Sequence, residues 1–170
     1  GTGDIDESKL LHGKAIYAIM SRLPWLLITI LGGIVAAYVI TYYSSIFPKH
    51  HFSLALSLSF VPLLMGLAGN VGNQSSTIIV RGLSTGLLRD TETYRIVGRE
   101  ILIGLGIGVI SGVCVWFSLY LSGSRIMVAS IVAASIVINT VVATCIGACL
   151  PLILRQCRVD PAVASAPFIS

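Results

Sequence analysis

Residues 52–80 read FSLALSLSFVPLLMGLAGNVGNQSSTIIV and contain no Asp, Glu, Lys or Arg. This stretch is longer than the roughly 20 apolar residues that cross the core of a bilayer. Its second half is polar nonetheless, because amides and hydroxyls crowd into residues 70–77. Such groups are costly in lipid unless they face protein or water. The stretch therefore predicts a membrane-spanning helix that carries a polar surface.

Three further windows of the chain, residues 23–48, 101–124 and 126–154, also lack charged side chains. Hydrophobic residues make up 55% of the chain and charged residues 11%, against roughly 25% charged in a soluble domain. This composition excludes soluble enzymes, secreted disulfide-rich domains and nucleic-acid-binding proteins. We predict an all-α fold, a polytopic membrane helix bundle with four complete transmembrane helices and the start of a fifth. The predicted helices cover about residues 23–43, 53–80, 101–121, 127–154 and, for the fifth, 161–170.

The basic residues indicate how the chain is oriented. Nine of the 11 Lys and Arg residues lie in residues 1–22, in residues 81–100 or after residue 154. Only Lys49 and Arg125 lie in the alternate connections. Because short cytoplasmic segments are enriched in Lys and Arg, we expect a multi-pass cell-membrane protein with a cytoplasmic N-terminus. Residues 1–22 are expected to form a cytoplasmic amphipathic linker helix that leads into a membrane domain over residues 23–170.

The polar residues of the second helix repeat at helical spacing. The 3.6-residue period places Asn70, Asn73 and Thr77 on one stripe with Gly66. Arg81 lies one turn beyond. Glycines and Pro62 can turn backbone carbonyls toward a cavity, where irregular backbone is tolerated. The alternative is a hydrogen-bonded contact between helices, but packing seldom needs so dense a run of amides.

The stripe offers amide and hydroxyl oxygens, without a thiolate or an imidazole that would attract zinc or copper. Mg²⁺ keeps several of its waters when it binds to proteins, so neutral oxygens can hold it through those waters. The same chemistry allows Na⁺, Ca²⁺ or a small polar solute. The residues alone therefore indicate a pathway for a cation or a polar solute.

Other features of the spans are interpreted as packing. Gly104, Gly108 and Gly112 form a ridge of small residues that allows another helix to approach closely. Asn139, near the middle of the fourth helix, is interpreted as an interhelical hydrogen-bonding residue, with a place on a pathway as the alternative. The four cysteines do not have the spacing of a zinc site and are interpreted as packing residues.

The run from Pro62 to Thr77 resembles the signature of the MgtE magnesium transporters and their solute-carrier-41 relatives. The sequences RLPWLL at residues 22–27 and DPAVAS at residues 160–165 resemble the same family. The similarity covers essentially the whole chain in order. It implies magnesium transport, with Mg²⁺ as the transported ion and as the ligand of the site.

The resemblance further implies a homodimer of five-helix membrane domains, with an ion pore along the dimer axis lined by helices 2 and 5. Full-length members usually add cytoplasmic CBS-type regulatory domains that sense Mg²⁺ and close the pore. When the family's positions are carried over to this chain, the resemblance implies that the backbone of Gly69 and the side chains of Asn73 and Thr77 contact the hydrated ion. Asn70 and Gln74 would support these residues.

The chain departs from the family near its C-terminal end. Asp160 and Pro161 have the pattern of a helix N-cap and a first-turn proline, so we expect a fifth helix from Pro161. That helix stops with the chain at Ser170, before the acidic residue that the family places in helix 5. Ala166 stands where the family often has an asparagine. Asp160 is interpreted first as a helix cap and second as a residue that attracts cations.

Two other functions remain open at this stage. One is a secondary transporter that couples cation movement to Na⁺ or H⁺, although the four predicted spans contain no acidic residue for proton coupling. The other is a membrane scaffold without transport activity, whose polar run holds subunits together. An enzyme is not supported, because no carboxylate pair, Ser-His-Asp set or phosphate-binding loop lies at membrane depth.

Overall fold

The computed structural model describes residues 15–44, 59–86, 88 and 93–157. At 1.5 Å per residue, the helices in this part of the chain are roughly 36–46 Å long, which exceeds the hydrocarbon core of about 30 Å. The predicted all-α class and the helical membrane bundle are confirmed. The described helices are α1 (Ala15–Ser44), α2 (Val61–Ser84), α3 (Thr93–Leu121) and α4 (Ile126–Gln156).

The helices differ in how well they fit a membrane span. By length and hydropathy, α3 and α4 are able to cross a membrane. Helix α1 also fits if its two parts, Ala15–Pro24 and Leu26–Tyr42, form one span with a bend of 48°. Pro24 lies at this bend, and proline kinks a helix because it removes a backbone donor. Helix α2 is less hydrophobic than α3 and α4 because of its amides and hydroxyls. That it crosses the membrane therefore stays a prediction.

Helices α1 and α3 begin eight residues before their predicted starts, whereas α2 runs from Val61 to Ser84, four residues past its predicted end. Helix α3 begins at Thr93 instead of residue 101, so Arg95, Arg99 and Glu100 are helical. Residues 15–22 of the expected linker belong to α1, which continues through the bend into the apolar segment. Residues 1–14, 53–58 and 161–170 lie outside the described part of the chain, so the linker and the fifth helix stay predictions.

The four helices pack as a ring in which α1 and α4 each contact both α2 and α3. A Cβ atom at Gly104 or Gly108 of α3 would overlap the side chain of Thr144 or Thr140 of α4. The predicted packing role of this glycine ridge is therefore confirmed. The largest fully buried apolar side chains in the ring include Leu26, Leu63, Leu67, Ile103, Ile107 and Ile136.

Candidate cation pathway

Helix α2 has one packed side and one open side. Five side chains at four-residue intervals, which share one face of a helix, are buried in the bundle, namely Leu63, Leu67, Val71, Ser75 and Ile79. The side chains of Asn70, Asn73 and Thr77 are exposed. The polar stripe therefore lies on the open side of α2, and its Asn70 end borders α1.

Two contacts with α4 set the rotation of α2 in the bundle. A Cβ atom at Gly147 would overlap the backbone carbonyl oxygen of Gly72, so the two backbones lie in direct contact. The side chain of Asn139 donates a hydrogen bond of 2.7 Å from Nδ2 to the backbone oxygen of Leu64. Asn139 thus joins α4 to α2, as the interhelical interpretation predicted.

The hydrogen bonds of the stripe leave several oxygens available to water. Asn70 donates from Nδ2 to Oγ1 of Thr29 in α1 over 2.6 Å, which leaves its own carbonyl oxygen out of that bond. Thr77 donates its hydroxyl proton to the backbone oxygen of Asn73 over 2.7 Å. The oxygen of Thr77 is then an acceptor. The amide of Asn73 has no hydrogen-bond partner within the described ranges.

Gly69 and Gln74 are the other two residues of α2 that are predicted to contact or support the ion, and their surroundings differ. No atom lies within 4 Å of the place where a Cβ atom of Gly69 would be, so the α2 backbone is uncovered there. The Oε1 atom of Gln74 is buried and has no donor among the described residues. The structure therefore brings Gly69, Asn70, Asn73 and Thr77 to the open side of α2, whereas the carbonyl oxygen of Gln74 is turned inward.

The open side offers neutral oxygens to a cation. In the part of the chain that the structure describes, no group of three or more His, Cys, Asp or Glu side chains is arranged to hold a metal ion. Arg81, exposed in the last turn of α2, is the charged residue nearest to the stripe along the helix. Neutral oxygens fit a hydrated ion that is passed along rather than a dehydrated ion that is held, because Mg²⁺ dehydrates reluctantly. Asp160 lies outside the described residues, and its role stays a prediction.

Glu100 is a buried acidic residue that is absent from the predicted site. It ends the charged stretch of residues 81–100, but its side chain is fully buried in α3 and accepts hydrogen bonds from Arg22 of α1. A signal was present, because Glu100 lies four residues before Gly104 and thus on the packing face of α3. Helices α2 and α3 lie across the ring from each other, so the stripe and Glu100 occupy different parts of the bundle.

The chain is similar to known membrane transporters. The MgtE family, described as a divalent cation transporter, matches residues 61–170. The magnesium transporter MgtE of Bacillus subtilis (strain 168) is 31% identical over 157 residues, which are 92% of this chain and 34% of that protein. The protein of the same name from Thermus thermophilus is 31% identical over 170 residues, 99% of this chain and 37% of that protein.

A third relative, the magnesium transporter MgtE of Enterococcus faecalis, is 29% identical over 167 residues, 98% of this chain and 35% of that protein. The chain therefore spans about a third of the length of the curated relatives that it matches. No solved structure matches the chain.

Proposed function

Because this chain belongs to the MgtE family of divalent cation transporters, we propose that it carries Mg²⁺ across the cell membrane along the open side of α2. The family is one of transporters, which supports transport rather than an enzymatic function. The magnesium transporters of three bacteria that match nearly the whole chain support Mg²⁺ as the substrate.

The outward direction of the polar stripe is the observation that carries this proposal. Asn70, Asn73 and Thr77 are exposed on a helix whose opposite side packs against α1 and α4. Amides and hydroxyls that face lipid would lose their hydrogen bonds to water, at a cost of several kcal/mol per group. In an α2 that crosses the membrane, as we propose, the stripe therefore faces a water-filled path or another protein surface. Along a path for a hydrated cation, the oxygens of the stripe form hydrogen bonds with water, and the ion keeps its water ligands.

A second copy of the chain is the proposed other wall of this path. The stripe lies on the outer surface of the four-helix ring, where a homodimer would place the two α2 helices on either side of an axis. Residues 161–170, as the start of a fifth helix, are proposed to line the same path. Gly69, Asn73 and Thr77 would contact the waters of the ion, with Asn70 held in place by Thr29. Gln74 would support the α2 backbone from the packed side of the helix.

The orientation and the regulation of the protein belong to the same proposal. Nine basic residues against two favour a cytoplasmic N-terminus. The chain matches about a third of its relatives, and we propose, as the family resemblance implies, that the full-length protein carries regulatory domains of the CBS type. They would act on the membrane domain through the helix that contains residues 15–22.

Flux of Mg²⁺ into proteoliposomes that contain the full-length protein tests the proposal. Asn73→Ala is expected to lower the initial rate, whereas Ser135→Ala is the matched control, since Ser135 bonds to Ile131 within α4 and away from the stripe. Equal rates for the wild type and Asn73→Ala would contradict a pathway along α2. Repeating the assay with and without a Na⁺ or H⁺ gradient separates passive transport from coupled transport, and a complete lack of flux would favour a scaffold.

A further inference from the structure

A cavity of about 550 Å³ opens at one end of the helix ring, away from the polar stripe. Helices α1, α3 and α4 and the residue before α2 form its walls. Its inner surface is apolar, and side chains such as Phe60, Val115 and Leu119 are almost fully buried. The volume is within the range of about 300–1,000 Å³ that small-molecule sites occupy. The cavity is therefore large enough for part of an amphipathic molecule.

Among the described residues that line the cavity, Arg125 is the cationic one. Arg125 lines the cavity in the turn between α3 and α4, and its side chain is exposed. No ion pair or hydrogen bond of its guanidinium occurs within the described ranges, and the first turn of α4 has no acidic residue. A guanidinium pairs with phosphate through two parallel hydrogen bonds. An anionic phosphate group would therefore complement the charge at this mouth.

Aromatic side chains place this end of the ring at the surface of the membrane. Tyr38 and Tyr120 are about half exposed, and the Tyr120 ring stacks on Trp116 with a centroid distance of 5.5 Å. Tyrosine and tryptophan are enriched at the level of the lipid headgroups. The apolar interior of the cavity then lies at the depth of the acyl chains, and Arg125 lies at the depth of the phosphates.

We propose that this cavity binds an anionic phospholipid, with one acyl chain between α1, α3 and α4 and the phosphate on Arg125. The site differs from ordinary lipid contact because Ala37, Phe60, Val115 and Leu119 of its inner wall are buried inside the ring rather than on the outer surface of a helix. A zwitterionic lipid has a phosphate of the same kind, but its headgroup cation opposes Arg125. The site therefore prefers a lipid with net negative charge, such as phosphatidylglycerol.

Native mass spectrometry of the full-length protein, with phosphatidylglycerol and phosphatidylcholine supplied at equal concentrations, tests this site. The wild type is expected to retain phosphatidylglycerol preferentially. Arg125→Gln should reduce that preference about tenfold, since a hydrogen-bonded charge contributes at least about 1.4 kcal/mol. Arg95→Gln is the matched control, because Arg95 is an exposed arginine at the other end of α3.

A second pair of variants tests the apolar part of the site. Ala37→Phe adds a ring inside the cavity and should reduce the retention of both lipids. Ser122→Phe replaces the hydroxyl that contacts Tyr38 across the mouth. The ring narrows the mouth at an exposed position and should do the same without changing the buried side chains of the inner wall. Unchanged preference in Arg125→Gln, or unchanged retention in the correctly folded Ser122→Phe, would overturn the proposal. In the second case, the retained lipid would be bound elsewhere on the protein.

Discussion

Arg22 and Glu100 form a buried ion pair in which Nη2 of the arginine lies 3.1 and 3.0 Å from the two carboxylate oxygens. The arginine is 5% exposed and the glutamate 0%. The pair joins the part of α1 that precedes the Pro24 bend to the start of α3. The Nε and Nη1 atoms of Arg22 have no hydrogen-bond partner within the described ranges. Within those ranges, the Glu100 carboxylate is therefore the main group that offsets the cost of burying the Arg22 charge.

The first prediction concerns this ion pair. Glu100→Gln is expected to destabilise the protein by about 3–5 kcal/mol, because removing one partner leaves the other charge buried and uncompensated. Thermal unfolding in detergent, at matched protein and detergent concentrations, measures the effect. The exposed-site variant Arg95→Gln should shift the transition little, by less than about 0.5 kcal/mol.

A double variant separates the ion pair from a simple loss of packing. Replacing both residues by apolar ones, as Arg22→Met with Glu100→Leu, should recover much of the lost stability, since such replacements are often neutral. If Glu100→Gln alone unfolds at the wild-type temperature, the pair does not stabilise α1 against α3.

The second prediction concerns the hydroxyl of Thr77. Thr77→Val keeps the shape of the side chain but removes the oxygen that bonds to Asn73 and is proposed to contact the waters of the ion. The rate of Mg²⁺ flux should fall several-fold, up to about tenfold, since one hydrogen bond contributes about 0.5–1.5 kcal/mol. Thr77→Ser retains the hydroxyl and should retain most of the flux. A serine variant as slow as the valine variant would argue against a role for the oxygen.

The third prediction concerns the backbone contact between α2 and α4. Gly147→Ala places a Cβ atom against the carbonyl oxygen of Gly72, and overpacking of this kind costs about 1–3 kcal/mol. Gly32→Ala in α1 is the control, because no atom lies within 4 Å of its added Cβ. Alanine should stabilise that helix by up to about 1 kcal/mol. Equal unfolding temperatures for the two variants would show that α2 and α4 do not touch at these glycines.

The fourth prediction concerns the proposed dimer. In a background without the four native cysteines, Asn73→Cys should cross-link to the same position of a second copy in the membrane with a short bifunctional reagent. Ile138→Cys is the control, because Ile138 is exposed on α4, away from the stripe. Cross-linking of the control but not of Asn73→Cys would place a different face at the dimer axis.

Local periodicity accounts for the parts of this structure that could be predicted. Gly104, Gly108 and Gly112 recur every four residues, and helical geometry alone puts them on one face, where the structure packs them against α4. The same argument put Asn70 and Asn73 together on one side of α2. Neither result depends on distant parts of the chain.

Contacts between distant residues account for what could not be predicted. A charge such as Glu100, next to an apolar segment, is expected at the membrane surface unless its partner is known. That partner, Arg22, lies 78 positions away. Likewise, the helical period relates Asn73 and Gln74 to each other but does not show which of them faces a neighbour, and the contacts at Gly72 and Leu64 determine that.

The open side of α2 has a practical consequence for protein engineering. Variants with improved expression or detergent stability are commonly designed by changing residues that are exposed in one chain. On this helix, that rule would select Asn70, Asn73 and Thr77 first, which are the residues proposed to meet the substrate. A survey of tolerated substitutions should therefore treat accessibility on α2 as a mark of function, and direct stabilising changes to exposed apolar positions on other helices, such as Val109 of α3.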